Sequence, residues 1–400
     1  MTHRERMLAA IRGEATDRIP FAPRMDLWYI ANKTRGSLPG RFNGMNTFGI
    51  ARELDVACHA VRADYTLPRP KEDLMLRGLG LDNHPDYPYR VEMNKYPIRF
   101  EYDEENLRTR IETPKGDIVT HIKQSRDMLG DGISLPMILS YPAARVEDFE
   151  ALALVFEHLE VVPTPENYRA FKERIGGQGI AVANGLPAAS PLHFLFHDLM
   201  PMDAFFYLCV DDRQALLKLA SRMESFFHKV LAAVLECDCE TFLWGANYDQ
   251  STTYPRFFEE DLKPWLDSVG EAAQKRGKFA LSHTDGESKA LLDLFRKTRF
   301  HIAESVCTAP MTKCTLKEFR DGIGTETTVW GGIPAVALLQ DSMGDDEFER
   351  YMETLFSELG DGRRLILGVS DNVPPNALLG RLERIEAMAA QHDSNKGAER

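Results

Sequence analysis

Cysteine is scarce in this chain: six thiols, at positions 58, 209, 237, 239, 307 and 314, are scattered through 400 residues. They are too few and too irregular for a disulfide scaffold, so reduced thiols are the expected state. Long hydrophobic runs are missing as well. Even FFHKVLAAVL, 226–235, carries a His and a Lys, and nothing approaches the roughly eighteen apolar residues of a spanning helix. Positive charge is in deficit. A formal net charge of -13 argues against a nucleic-acid groove, because phosphate contacts need a concentrated basic face. The opening stretch MTHRERMLAAIRGE has no apolar segment of the secretory kind. The expectation is a soluble cytoplasmic protein with neither nucleic-acid nor membrane partner. Fixed-period repeats and low-complexity tracts are absent too.

What is present is a rhythm. With 44% hydrophobic residues the chain can bury a large core. Strand-like runs occur at RIPFAPR, ending in Arg24, and at 60–65, 179–185, 241–246, 279–281, 302–306, 328–330 and 365–369. Helical patterns lie around and between them, at 2–12, 46–54, 146–157, 165–174, 213–235 and 345–359. Eight strands alternating with helices predict an α/β fold of the (β/α)8 TIM-barrel type over 1–400 as a single domain. An open doubly wound sheet would want a Gly-rich phosphate turn after its first strand, and RIPFAPRMD has none. From 96 to 124 the period changes: Ile98, Phe100 and Tyr102 alternate with polar residues, and RTRIET and DIVTHIKQ flank the turn Pro114-Lys115-Gly116. This predicts an inserted antiparallel β-hairpin that covers one mouth of the barrel.

In a barrel, function sits at the carboxyl ends of the strands. Those ends carry Arg24 with Asp26, Asp64 with Tyr65, Asn184, Asn247 with Tyr248 and Asp249, His283 with Asp285, Glu304 with Cys307, and Ser370 with Asp371 and Asn372. His283, Asp285, Asp64 and Tyr248 are the candidates for catalysis. Arg24, Asn184, Asn247 and Asp371 are the candidates for substrate binding, Arg24 because a guanidinium pairs bidentately with carboxylates. His283, Asp285, Glu304 and Cys307 are candidate metal ligands, since a catalytic zinc needs three donors drawn from His, Cys and carboxylate. Asp371 is a further candidate to complete that set. The bland readings are a polar loop histidine for His283 and an ion pair within the mouth for Arg24. Cys237 and Cys239 precede a strand, at the wrong face for catalysis, and read as structural, as does Cys314. Phe194, Phe196, Phe205, Phe206 and Tyr207 read as core packing. The Gly331-Gly332-Ile333-Pro334 turn marks close backbone approach at a strand end.

Four stretches, RERMLAAIRGEATDRIPFAPR, CETFLWGANYD, YPRFFEEDLKPWLDSVGEAAQKRGKFALSHTDG and LILGVSDNVPPNALLGRLERI, together resemble the uroporphyrinogen decarboxylase superfamily over nearly the whole chain. The resemblance implies a (β/α)8 barrel. It also implies two activities: decarboxylation of haem-pathway tetrapyrroles, and cobalamin-dependent methyl transfer in which a zinc held by His-x-Cys and a later Cys activates a thiol. His283 and Gly286 match the histidine and glycine of His-x-Cys-Gly, while Asp285 stands in place of its cysteine. The later cysteine falls near Ser370 or Asp371. Oxygen in place of sulfur makes a harder Lewis acid, suited to an oxygen-bound methyl group. If no metal is bound, His283 can protonate the leaving group. Asp64 falls where the decarboxylases keep an aspartate, but PRMDLWY retains only Arg24 of their arginine cluster. The expected activity is therefore transfer of a methyl group from a small methylated substrate, such as a methoxylated one, to a corrinoid. The chain has no Asp-x-His-x-x-Gly stretch, so the cobalamin would be carried by a separate partner protein, with zinc as the expected metal. A homodimer is a further implication. The alternatives are a decarboxylase acting on an acidic substrate and a binding barrel without catalysis.

Overall fold

The structure, a computed structural model, describes residues 1–63 and 70–392. Seven strands form one parallel sheet in chain order: β1 (Cys58–Ala60), β2 (Gly179–Leu186), β3 (Thr241–Ala246), β4 (Phe279–His283), β5 (Ile302–Val306), β6 (Thr328–Ile333) and β7 (Leu365–Val369). They are short and rich in Val, Ile, Leu, Phe and Trp, as strands buried on both faces must be. Helices such as Arg213–Glu236, Lys263–Lys275 and Asp345–Ser357 lie between them in the chain. The result is a curled, barrel-like α/β fold.

The expected first strand is the main departure. Around Phe21 there is a single parallel bridge to Leu367. Ala22 N–H donates to Leu367 O at 2.8 Å, Leu367 N–H to Pro20 O at 2.8 Å and, on the other side, Ala57 N–H to Phe21 O at 2.8 Å. The segment thus lies between β7 and the start of β1. Pro20 and Pro23 flank it, and neither has an N–H to extend a ladder.

Alternation explains what the strands enclose. Ala22, Ala57, Val61, Ile180, Val182, Leu243, Leu281, Ile302, Trp330 and Ile366 bury together with Met7, Ala10 and Ile11 of the first helix, His3–Arg12. That helix starts at Thr2, which forms a capping box with Glu5, and stops at Gly13 in the left-handed region at φ 72°. Inward residues recur every second position. Two residues beyond this apolar layer come Arg24, His59, Asn184, His283 and Glu304. A polar layer therefore sits on an apolar plug.

The expected hairpin is larger than its sequence signal. Ile98–Tyr102, Asn106–Thr113, Gly116–Lys123 and Met137–Ser140 form a four-stranded antiparallel sheet, and Tyr89–Met93 pairs with Leu159–Pro163 in a second, two-stranded one. Met137–Ser140 was not legible because a helix, Arg126–Gly130, separates it from its partner strand. Among the aromatic residues expected in the core, Phe194 and Phe205 are fully buried but Tyr207, on the helix Met202–Asp211, is 71% exposed.

Candidate active site

The site begins with register. β4 and β5 are neighbours, and His283 is paired with Glu304, so two side chains twenty-one residues apart project inward side by side. His283 Nδ1 lies 2.6 Å from Glu304 Oε2. The other carboxylate oxygen, Oε1, lies 2.8 Å from Nε2 of His59 on β1. A carboxylate only accepts, so each imidazole donates to it. Nδ1 of His283 and Nε2 of His59 therefore each carry a proton, and both rings turn their other nitrogen, Nε2 of His283 and Nδ1 of His59, away from Glu304. The His59 Nδ1 atom is buried and has no hydrogen-bond partner among the described residues. Its ring meets Trp330 edge to face at 5.1 Å.

Nε2 of His283 faces Asp371 Oδ1 at 3.5 Å. Asp371 in turn accepts from Arg24 Nη1 at 2.7 Å and from Asn372 Nδ2 at 3.1 Å, while Arg24 Nε donates to Asp26 at 2.9 Å. The site is thus one continuous file: Asp26, Arg24, Asp371, His283, Glu304, His59. Burial pushes the Glu304 carboxyl up, but the charge and hydrogen bonds of His283 and then His59 outweigh it and hold the group well below the usual carboxylate range. Asp371 behaves alike, with Arg24 and His283 overcoming its burial. Arg24 is disfavoured as a cation by burial, yet Asp371 and Asp26 more than reverse this. Asp285 ends on the other side of the balance. Burial raises it, the opposing pull of His283 is insufficient, and the nearby charge of Asp371 adds to the rise.

Two irregularities aim these groups. The pairing of β5 with β6 shifts between Glu304 and Val306, and Ser305 has φ 64°. Ser305 Oγ donates to the carbonyl of Ser370, itself at φ 24°. Bulges of this kind re-aim side chains at barrel rims.

Other sequence candidates lie apart from this file. Tyr248 is fully buried, its hydroxyl 2.8 Å from Ser282 Oγ, and its ring stands among His193, Phe258 and Phe295. Ser282 alternates with the inward residues Leu281 and His283, so Tyr248 belongs to the layer behind the sheet. Asn184 Nδ2 contacts the carbonyl of Gly185 at 3.1 Å. Asn247 touches the site through its backbone, N–H to His283 O at 2.9 Å, while its side chain meets His197 at 2.8 Å. Cys307 is buried next to the end of β5, and burial pushes its thiol up despite a hydrogen bond with Ser370. Asp64 lies outside the described residues.

Zinc was expected on His283, Asp285, Glu304 and Cys307. Among the described residues no group of three or more His, Cys, Asp or Glu side chains is placed to hold a metal ion. Both oxygens of Glu304 are taken by imidazoles, and Asp371 is held by a guanidinium. The residues as arranged do not fit a ready-made zinc centre. Cys237 and Cys239 are buried, and Lys278 Nζ donates to the carbonyl of Cys239 at 2.9 Å, which agrees with a structural role.

His59 is the member of this file that sequence reasoning passed over. Alternation from Ala57 to Val61 was the available signal, since it puts His59 on the same side of the strand as both.

Fold and file together define a class: a barrel-like α/β protein with a charged, hydrogen-bonded inner layer at the carboxyl ends of its parallel strands. Among solved structures the chain is similar to a methyltransferase from Methanosarcina mazei, with a TM-score of 0.57 and 14% sequence identity, covering 97% of this chain and 98% of that one. At that identity the likeness concerns the fold. No protein-family model and no curated protein matches the sequence. No described helix is long and apolar enough to cross a membrane.

Proposed function

We propose that this protein is a methyltransferase that moves a methyl group from a small methylated substrate, such as a methoxylated one, to the corrinoid of a separate partner protein, with His283 as the acid. The observation that carries this reading is the placement of His283, anchored through Nδ1 to Glu304 and presenting Nε2 towards Asp371. The fold it shares with a protein named as a methyltransferase supports it.

A methyl group leaves an ether oxygen readily only if that oxygen is stabilised as its bond breaks. The bonding electrons stay on oxygen, which takes the Nε2 proton from an imidazolium at His283. The imidazole left behind is neutral and still donates Nδ1–H to Glu304. Proton donation of this kind is worth about 10²–10⁴ in rate. Glu304 fixes the ring through Nδ1, Asp371 lies 3.5 Å from Nε2, and Arg24 fixes Asp371. The corrinoid, when presented at the mouth, supplies the methyl acceptor.

A uroporphyrinogen-type decarboxylase fits less well. Arg24, the cation that would receive a substrate carboxylate, already spends Nε and Nη1 on Asp26 and Asp371.

The test is methyl transfer to free cob(I)alamin, read by the absorbance of the methylated product, from a panel of methoxylated aromatics and methylated amines. Transfer from at least one donor, lost in His283→Ala, is expected. No transfer across the panel overturns the proposal. Metal analysis runs beside it: one equivalent of zinc, absent from His283→Ala, would move the acid's role to a metal.

A further inference from the structure

On the adjoining side of the same mouth, the loop after β2 runs through the helix Pro191–Phe194 into a π-helical turn, Leu195–Leu199. Turns of this rare type are frequent at functional sites. It holds His197 beside Asp198, with Nδ1 2.7 Å from the carboxylate Oδ2. The outward nitrogen, Nε2, meets the side-chain amide of Asn247 at 2.8 Å. His197 and Asp198 keep 20% and 19% of their side chains exposed, and Asn247 is exposed, so a ligand can reach them. Gly80 backs the pair so closely that an added Cβ would lie 2.7 Å from Asp198.

Asn247 ties this dyad to His283. Its backbone sits in the left-handed region at φ 59° and donates to the His283 carbonyl, while its side chain turns to His197. A strained residue bridging two polar clusters is where a ligand would span them.

We infer that His197, oriented by Asp198 and flanked by Asn247, is a specificity-determining subsite that takes a hydroxyl group on the substrate, remote from the methyl group delivered at His283. A hydroxyl both donates and accepts, so it suits an imidazole or an imidazolium, and either end of the Asn247 amide. Asp198 holds Nδ1 of the ring, so a ligand hydroxyl exchanges with the Asn247 amide at Nε2. This inference rests on the methylated-substrate reading above.

The test is equilibrium binding of 3-methoxyphenol and of methoxybenzene, which lacks only the hydroxyl, to the full chain by ligand-observed NMR. The phenol should bind about tenfold more tightly, the size of one net hydrogen bond. The gap should close in His197→Phe and narrow in Asp198→Asn, which keeps the local shape, with circular dichroism reporting the fold of each. Equal binding of the two probes, a gap that survives in His197→Phe, or no binding of either overturns the subsite. Methyl transfer from an amine without binding of the phenol would do the same yet leave the proposed function standing. The expected binding without transfer from any donor would remove the proposed function and leave the subsite.

Discussion

Glu304 and His59 meet at 2.8 Å across 245 residues of chain. This contact turns a strand-end pair into a triad, because the carboxylate that orients His283 is itself fixed from its other side. With both oxygens engaged, Glu304 has no freedom to rotate, and the ring of His283 inherits that constraint.

Replacing Glu304 by Gln should therefore be costly. An amide has one acceptor and one donor end, so one of the two imidazole N–H groups would face an NH2. Leaving that buried group unsatisfied costs about 1–3 kcal/mol. Urea unfolding of Glu304→Gln checks the stability loss. Methyl transfer should fall by about 10²-fold or more if ring orientation carries the proton-donation effect.

His59→Phe keeps a ring against Trp330 but removes the hydrogen bond to Oε1. A loss of about 1–3 kcal/mol is expected from the unsatisfied carboxylate oxygen. A variant as stable as the parent in urea would show that the contact contributes nothing.

The pH dependence has a definite sign. The folded-state pKa of Glu304 is depressed below its ordinary 4.5. The folded chain thus binds fewer protons at this group than the unfolded chain does. Its contribution to stability is complete above about 4.5 and is lost as the pH falls below that value. Melting temperatures recorded from pH 6 down to 3.5 should drop more steeply for the parent than for Glu304→Gln. Parallel curves would contradict the assignment.

Gly245 is the tightest glycine of the mouth. It has φ 82°, and an added Cβ would sit 2.0 Å from the Tyr248 hydroxyl. Gly245→Ala should cost about 3 kcal/mol or more, combining backbone strain with a clash. Adding Tyr248→Phe removes the clashing oxygen and should restore part of that stability. Thermal denaturation of the single and double variants decides whether Tyr248 acts by packing.

Arg24→Met strips the guanidinium from the file and leaves the half-buried carboxylates of Asp26 and Asp371 without their shared partner. Solvent screening at these half-exposed carboxylates keeps the loss to about 1–2 kcal/mol, so calorimetry should show a modest fall in melting temperature. Arg24→Lys should rescue little of it, because an ammonium cannot serve both carboxylates with the planar fork.

Much of the parallel sheet could be read from sequence because its causes are local. Runs such as TFLWGA and LILGV declare buried strands by their own composition. The order of strand, polar loop and helix placed His283 and Glu304 at the carboxyl ends of neighbouring strands. Where local signals were weak the reading slipped. Pro20 and Pro23 reduced a strand to a bridge, and Met137–Ser140 joined a sheet through pairings that its own residues do not announce.

The chain by itself determined the α/β rhythm, the apolar layer and which ionisable groups stand at the strand ends, since these follow from side-chain type and period. Tertiary structure alone decided which of those groups touch. Curling of the sheet brings β1 opposite β5, and Arg24 beside Asp371, across hundreds of residues. Only in that curled, low-dielectric interior does it matter which donor faces which acceptor.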